Sequence, residues 1–203
     1  MAFSDPAVII QMLGWDADDS DLVADVTATL EDAEEAVQEY CQTRFEERNA
    51  TAITFDSPNA NTLSLAGYLR ALTSVWVLDE LGVRSYEFTD VVARPNPPVM
   101  RDGSGNPYWT WLQRRNGEQF PLGLQCVEVT GNWGFVTLPR SVVRAIAFTV
   151  KHLFDLREVD ANKTLESGFG RTIQAQDPDR VREVPPAAQR LLEKYKHHSG
   201  FTE

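Results

Sequence analysis

The sequence lacks the residue patterns on which most enzyme active sites are built. Its 203 residues include only two cysteines and three histidines, and Cys41 and Cys126 lie in no CxxC or Cys/His pair. Nucleophile-elbow, phosphate-loop, zinc-protease and dinucleotide-binding motifs are also missing. The glycines of GFGR (168–171) follow no predicted strand, which indicates a turn. We therefore predict no catalytic residue, no cofactor and no metal, and a protein that is not an enzyme.

Long apolar runs are missing as well. No stretch approaches the roughly 20 apolar residues that span a bilayer, and we predict no membrane contact. The opening MAFSDPAVII has no basic segment of the kind that begins a signal peptide, so none is expected. Both cysteines are then expected to be free thiols in a reducing compartment.

Basic side chains are fewer than acidic ones, and the imbalance lies in the first 50 residues. The net charge is -11, and residues 1–50 hold 13 acidic and two basic side chains, while the remainder is balanced. This argues against non-specific binding to nucleic acid, which requires basic side chains to neutralise phosphates. An acidic surface would instead suit DNA that must pass without adhering, because like charges repel within a Debye length of about 8 Å.

Two amphipathic helices are predicted at the N-terminus. The first is capped by Asp5, begins at Pro6 and ends at Gly14. The second, over residues 21–43, has an apolar stripe and an acidic face. Glu31, Glu35 and Glu39 lie on that face. It is either a solvated surface, which is the ordinary interpretation, or a channel lining or partner surface.

Short strand patterns fill residues 50–135, and a second long helix follows. Pro139 begins a widely apolar helix predicted to reach about Arg157 and to pack on the apolar stripe of the preceding long helix. Beyond Val159 the chain is polar up to a short terminal helix, which carries Leu191, Leu192 and Tyr195.

These patterns predict an α+β fold. We expect an antiparallel helical bundle with a small antiparallel β-sheet insertion and an extended C-terminal segment that ends in a short helix. The predicted domains are a helical core over residues 1–159, with the insertion at about 50–135, and a C-terminal extension with a docking helix over residues 160–203.

In its order of segments the chain resembles the head–tail connector (adaptor, or head-completion) proteins of long-tailed double-stranded DNA phages. The opening VIIQMLGW…DLVADVTATLEDAEEAVQEYCQTRF is similar to the short helix, acidic turn and Ala-rich helix of that family. LTSVWVL resembles its Val-rich strand, and VEVTGNWGFVTLPRSVVRAIAFTVKHLFDLR resembles its strand, Gly-X-Trp turn and long helix. SGFGRTIQAQDPDRVREVPPAAQRLLEKYK resembles its Gly-rich closing segment and terminal helix.

This resemblance implies a structural protein of the virion neck, assembled in the host cytoplasm. The implied homo-oligomer is a ring of about 12 copies below the portal, which extends the DNA channel and joins the head to the neck or tail. The implied partners are the portal protein, a stopper or tail protein, other copies of the chain, and passing double-stranded DNA that is not bound sequence-specifically.

The resemblance also implies two sets of site residues. Those expected at the portal interface are Phe169, Arg171, Ile173, Leu191, Leu192 and Tyr195. Those expected to line the DNA channel are Glu31, Glu35 and Glu39. Two alternatives stay open, namely a stopper or tail-completion neck protein and, below it, a small intracellular hydrolase with an unrecognised site.

Overall fold

The computed structural model describes residues 4–95, 107–166 and 184–196, with the backbone alone over residues 158–166. The chain divides into two compact units. We call Met1–Gln42 together with Leu138–Lys196 the helical unit, and Thr43–Thr137 the sheet unit.

The described residues contain helix and strand in about equal amounts. The helical unit holds α1 (Pro6–Leu13), α2 (Ser20–Cys41), α3 (Arg140–Glu166) and α4 (Pro186–Leu192), which continues into a 3-10 turn (Glu193–Tyr195). The sheet unit holds β1 (Arg48–Pro58), β2 (Thr62–Leu78), β3 (Arg84–Glu87), β4 (Val91–Arg94), β5 (Trp109–Arg114) and β6 (Leu122–Trp133).

The prediction of a helical bundle with a small sheet insertion is wrong, because the sheet is a principal part of the fold. It has six antiparallel strands, and β2 alone runs for 17 residues. The sequence analysis predicted only short strands in this region, whereas β2 is one continuous strand. The strand continues through Ala66 and Gly67 because Leu65, Tyr68 and Leu69 are buried and hold the intervening backbone in the sheet.

The starts of the first two helices follow the predicted capping chemistry. Asp5 Oδ1 accepts a hydrogen bond from the amide of Ala7 at 2.9 Å, Pro6 occupies the first helical position, and Gly14 ends α1 with φ 69°. Asp19 Oδ1 similarly accepts from the amides of Asp21 and Leu22. Each carboxylate accepts hydrogen bonds from amides that have no partner inside the helix. Its negative charge also interacts favourably with the positive end of the helix dipole.

The predicted packing of the two long helices is confirmed, since α2 and α3 are in contact within the helical unit. Both helices bury one apolar face completely. The α2 side of this core consists of Val26, Leu30, Ala33, Val37 and Cys41, and the α3 side of Val142, Ala145, Ile146, Ala147 and Val150. Burial of this face supplies most of the stability that helix propensity alone cannot give.

Two details of the helical unit differ from the sequence prediction. Helix α3 extends to Glu166 instead of ending near Arg157, because the polar residues beyond Val159 include good helix formers such as Ala, Lys, Leu and Glu. Glu34, which the sequence placed on the polar face of α2, is only 3% exposed. Its Oε1 accepts a hydrogen bond from the amide of Ser4 at 2.7 Å, which offsets part of the cost of burying a carboxylate.

The strand order in the sheet is β1-β6-β2-β5-β4, and β3 pairs with the end of β2. Strand β6 lies between β1 and β2, so that Val129 faces Ile53 on one side and Val75 on the other. The segment SYEFTDVVA (85–93) has a strand-like composition but is divided between β3 and β4. The chain turns there because Phe88 is buried in the core of the sheet, where its amide donates to the carbonyl of Val75 at 2.8 Å.

A tight backbone crossing joins the two ends of the sheet unit. The amide of Phe135 donates to the carbonyl of Phe45 at 3.1 Å, and that of Gly134 donates to the carbonyl of Tyr68 at 2.8 Å. Gly134 has φ 73°, and a Cβ at this position would stand 1.8 Å from the carbonyl oxygen of Glu46. Only glycine can therefore occupy this turn.

We predict that Gly134→Ala lowers the free energy of unfolding by about 3 kcal/mol or more, because it combines a positive φ with a backbone clash. Gly117→Ala is the matched control, since Gly117 has φ 75° but no atom within 4 Å of its added Cβ. The control should cost only about 1–2 kcal/mol. Urea unfolding of both variants measures the difference, and equal losses would contradict the steric argument.

A buried cation lies at the edge of the sheet core. The Arg114 side chain is only 5% exposed, and its Nε donates to Asp90 Oδ2 at 2.8 Å. A second carboxylate, Glu118, and the carbonyl of Gln119 accept from its other nitrogens, and the Phe88 ring lies 4.2 Å from its guanidinium carbon. The hydrogen bond from Arg114 lowers the pKa of Asp90 below its ordinary value of 3.8.

We predict that Asp90→Asn lowers the free energy of unfolding by about 1 kcal/mol at pH 7. Because the pKa of Asp90 is lower in the folded state, its contribution is complete above the unfolded pKa of about 3.9 and is lost as the pH falls through the folded pKa. The gap between variant and wild type should therefore close in acid. Urea titrations at several pH values measure it, with exposed Glu87→Gln as the control. A gap that stays constant to about pH 2 would contradict the assignment.

Candidate assembly surfaces

Helix α2 presents an acidic stripe to the solvent. The exposed acids are Asp21, Asp25, Glu31, Asp32, Glu35 and Glu39, and α2 contains no Lys or Arg. Glu31, Glu35 and Glu39 are spaced four residues apart, so neighbouring carboxylates repel one another along the helix. The structure thus exposes the three residues predicted to line a DNA channel, and that role stays a prediction.

Helix α3 presents a basic stripe. Arg140, Arg144 and Lys151 are exposed and fall on one side of the helix at 100° per residue. The Arg144 guanidinium carbon lies 5.4 Å from the centre of the Phe148 ring, which orients that side chain. The first acidic residue of α3 is Asp155, which is exposed on the same side of the helix four residues after Lys151, so this side has no carboxylate from Arg140 to Lys151.

The C-terminal helix α4 is held against the rest of the helical unit. Leu192 is fully buried and Tyr195 is 3% exposed, and the Tyr195 hydroxyl lies 2.8 Å from Ser141 Oγ. The Tyr40 hydroxyl donates to Glu193 Oε2 at 3.3 Å. Burial among these side chains raises the pKa of the Cys41 thiol to about 12, so at neutral pH this cysteine is protonated and poorly nucleophilic.

The six residues predicted at the portal interface have different positions. Phe169, Arg171 and Ile173 lie outside the described residues. Leu191 is half-buried, whereas Leu192 and Tyr195 are buried within the chain's own helical unit. The structure therefore gives the last two a packing role, which the sequence pattern of the terminal helix did not distinguish from a docking role.

Large apolar side chains are exposed at one end of the sheet, a feature that the sequence analysis missed. They are Leu81, Val83, Tyr86, Leu122 and Leu124, which are 57 to 87% exposed. The register brings them to the same end, because Val77 of β2 pairs with Tyr86 on one side and with Val127 on the other. Exposed apolar patches of this kind are typical of proteins that bind other proteins.

The loops that carry these side chains are fixed by carboxylates. Asp79 Oδ1 accepts from the amides of Leu81 and Val83, both at 2.9 Å. Asp56 Oδ1 accepts at 2.7 Å from the amide of Gln125, which has a positive φ of 48°. The leucines are thus presented by ordered turns.

Metal-ligand groups and membrane-spanning helices were sought among the described residues. None of their His, Cys, Asp and Glu side chains form a group of three or more that could hold a metal ion. Cys41 and Cys126 are both free. Within the described part of the chain, no helix has the length and apolar character needed to cross a membrane.

Three solved structures contain a chain that is similar to this one. A chain of "Virion of native gene transfer agent (GTA) particle" matches with a TM-score of 0.57 and 14% identity, covering 98% of this chain and 92% of that one. A chain of "Neck of empty GTA particle computed with C6 symmetry" gives 0.56 and 13%, covering 98% and 92%. A chain of "Neck of native GTA particle computed with C12 symmetry" gives 0.53 and 12%, covering 97% and 90%.

No protein-family model and no curated protein matches the sequence. At 12 to 14% identity the three likenesses show the fold of the chain. They extend over both units and over almost the whole length of each protein, so the sheet unit belongs to the shared fold.

We predict that Leu192→Ala loosens α4 by removing a fully buried side chain, at a cost of about 2–5 kcal/mol. Amide hydrogen exchange should become faster across α4 and the following 3-10 turn, while the amides of β6 keep their protection. Half-buried Leu191→Ala is the matched control and should change exchange much less. Equal acceleration by both variants would show that Leu192 does not hold the helix.

Proposed function

We propose that the chain is a head–tail connector (adaptor) of a tailed particle. One observation carries this proposal, namely that the whole chain shares its fold with chains from particle necks. A likeness that covers at least 97% of this chain and 90% of the other is not the reuse of a small common domain. The proposed protein is therefore structural, and its place is the virion neck.

The proposed assembly is a homo-oligomeric ring of about 12 copies. Necks computed with C6 and C12 symmetry support a cyclic arrangement. The two exposed charged stripes and the exposed apolar end of the sheet support a protein whose surface is covered by other chains. Such a ring below the portal would extend the DNA channel towards the stopper or tail protein.

The proposed portal contact lies in the C-terminal part of the chain. Phe169, Arg171 and Ile173 are its first candidates, together with half-buried Leu191. Leu192 and Tyr195 could reach a portal only if α4 left its place on the helical unit, because both are buried there. In this proposal their role is to hold α4 as the base of the docking segment.

A stopper or tail-completion protein is the second candidate, and the six-stranded sheet is the observation that favours it. Those neck proteins are richer in strands as a class. The equal share of helix in the described residues favours the connector. The two candidates differ in their first partner, since only a connector should bind the portal directly.

Native mass spectrometry of the purified chain, alone and with the portal protein of the same particle, tests the proposal. We expect a ring of about 12 copies, either free or only on the portal. A chain that remains a monomer and ignores the portal would refute the connector function, and binding to a preassembled portal–adaptor complex alone would favour the second candidate.

The double variant Phe169→Ala, Ile173→Ala locates the portal contact. It should reduce portal binding at least about tenfold while leaving the melting temperature of the free chain unchanged, because truncation of interface anchors typically costs more than 1 kcal/mol each. Leu81→Ser on the sheet unit serves as an exposed apolar control, and a loss of the same size there would contradict the C-terminal assignment.

A further inference from the structure

We propose that neighbouring copies in the ring contact each other through the acidic stripe of α2 on one copy and the basic stripe of α3 on the next. This inference rests on the proposed ring and identifies the surfaces that close it. Glu35 and Glu39 would face Arg140 and Arg144 of the adjacent copy.

The two stripes are suited to different sides of one subunit. On α2 the acids lie on the side opposite the buried positions, and the basic residues of α3 have the same relation to their own helix. Because α2 and α3 are in contact and each stripe lies opposite the buried positions of its own helix, the two stripes lie on different sides of the helical unit. A cyclic ring of identical chains requires two different, complementary surfaces of this kind.

Part of each charged stripe makes no ion pair with the described part of its own chain. Glu35, Glu39, Arg140, Arg144 and Lys151 take part in no ion pair among the described residues. By contrast, exposed Arg84 and partly buried Glu128 of the sheet unit are paired with each other, at 2.6 Å. The exposed side of α2 and the beginning of α3 thus carry opposite charges, which gives electrostatic complementarity to a second copy.

The dimensions of the stripes agree with such a contact. At 1.5 Å per residue the basic stripe from Arg140 to Lys151 is roughly 16 Å long, and the acids from Asp21 to Glu39 extend over roughly 27 Å. The shorter basic stripe can therefore lie wholly along the acidic one, as two helices of adjacent subunits would.

DNA in the channel is the competing occupant of the acidic stripe. A lumenal acidic face would repel DNA, which suits passage without adhesion, but it leaves the basic stripe of α3 without a role. A neighbouring copy accounts for both stripes at once. We therefore propose the contact between subunits, and the channel lining predicted from the sequence is the alternative that the experiment separates from it.

Charge reversal on the full-length chain, assembled with the portal protein, tests the contact. The acid-reversed variant is Glu35→Lys with Glu39→Lys, the base-reversed variant is Arg140→Glu with Arg144→Glu, and the combined variant carries all four changes. We expect each reversed variant to lower the yield of rings in native mass spectra at least about tenfold. The combined variant should recover to within about threefold of wild type, because opposite charges face each other again.

The control for the acid-reversed variant is Glu80→Lys with Glu87→Lys, which makes the same change in net charge as that variant at exposed positions of the sheet unit. It should form rings at the wild-type yield. Rings of the wild type should also weaken when salt is raised from about 50 to 500 mM, because exposed ion pairs are screened. Unchanged melting temperatures of the free chains would show that every variant folds.

The outcomes separate this inference from the function on which it rests. If the wild type forms no ring alone or on the portal, the connector proposal itself fails. If the wild type forms rings and the acid-reversed variant does so equally well, the contact between subunits is wrong; slower DNA release from particles that carry that variant would then assign the acids to the channel. A combined variant that folds but does not recover also contradicts the proposed pairing.

Discussion

The backbone crossing at Gly134 is the constraint on which the sheet unit depends. It brings the carbonyl groups of Phe45 and Tyr68 within hydrogen-bonding distance of Phe135 and Gly134. The aromatic rings of Phe45, Tyr68, Tyr108 and Phe135 then pack with centroid distances of 4.5 to 6.5 Å. A side chain at position 134 would push these backbones apart and disrupt the aromatic cluster. The absence of a Cβ on Gly134 therefore fixes how the chain enters β1 and leaves β6.

The helical unit depends on the packing of two apolar helix faces and not on a backbone crossing. Its stability comes from the apolar faces of α2 and α3, which are buried completely. The outward face of α2, and that of α3 from Arg140 to Lys151, are therefore free to carry charge of one sign each. Repulsion along α2 is weak in water because the carboxylates are exposed to a high dielectric. The charges therefore cost little in the free chain and become important only where a second surface removes the water around them.

Local signals made much of the helical unit predictable. The carboxylate of Asp5, the ring of Pro6 and the left-handed Gly14 specify α1 by short-range chemistry, and the periodic apolar residues of α2 and α3 identify their buried faces. The sheet was underestimated because strand pairing is decided by distant partners. Ala66 and Gly67 look like a break in the sequence, and only their neighbours in the folded sheet show that β2 continues.

The candidate surfaces were predictable only in part, for the same reason. Exposure of Glu31, Glu35 and Glu39 follows from helix periodicity, whereas burial of Glu34 depends on the amide of Ser4, 30 residues away. The spacing of Leu191, Leu192 and Tyr195 gives an apolar face but not its partner. The exposure of the leucines at the end of the sheet could not be predicted from the sequence, because leucine is most often a core residue.

The adjacency of Phe45 and Phe135 has a consequence for how this chain could vary. The two ends of this segment are hydrogen-bonded to each other, so they stay adjacent however long the segment is. The path of the chain outside the segment is therefore independent of what the segment contains. The chain leaves the crossing, forms the six strands and returns to the same crossing. The hairpins between these strands can therefore change in length or sequence while the backbone outside the sheet unit keeps its path. Among proteins that share the fold, we therefore expect the outer turns of the sheet unit to differ most in length and sequence.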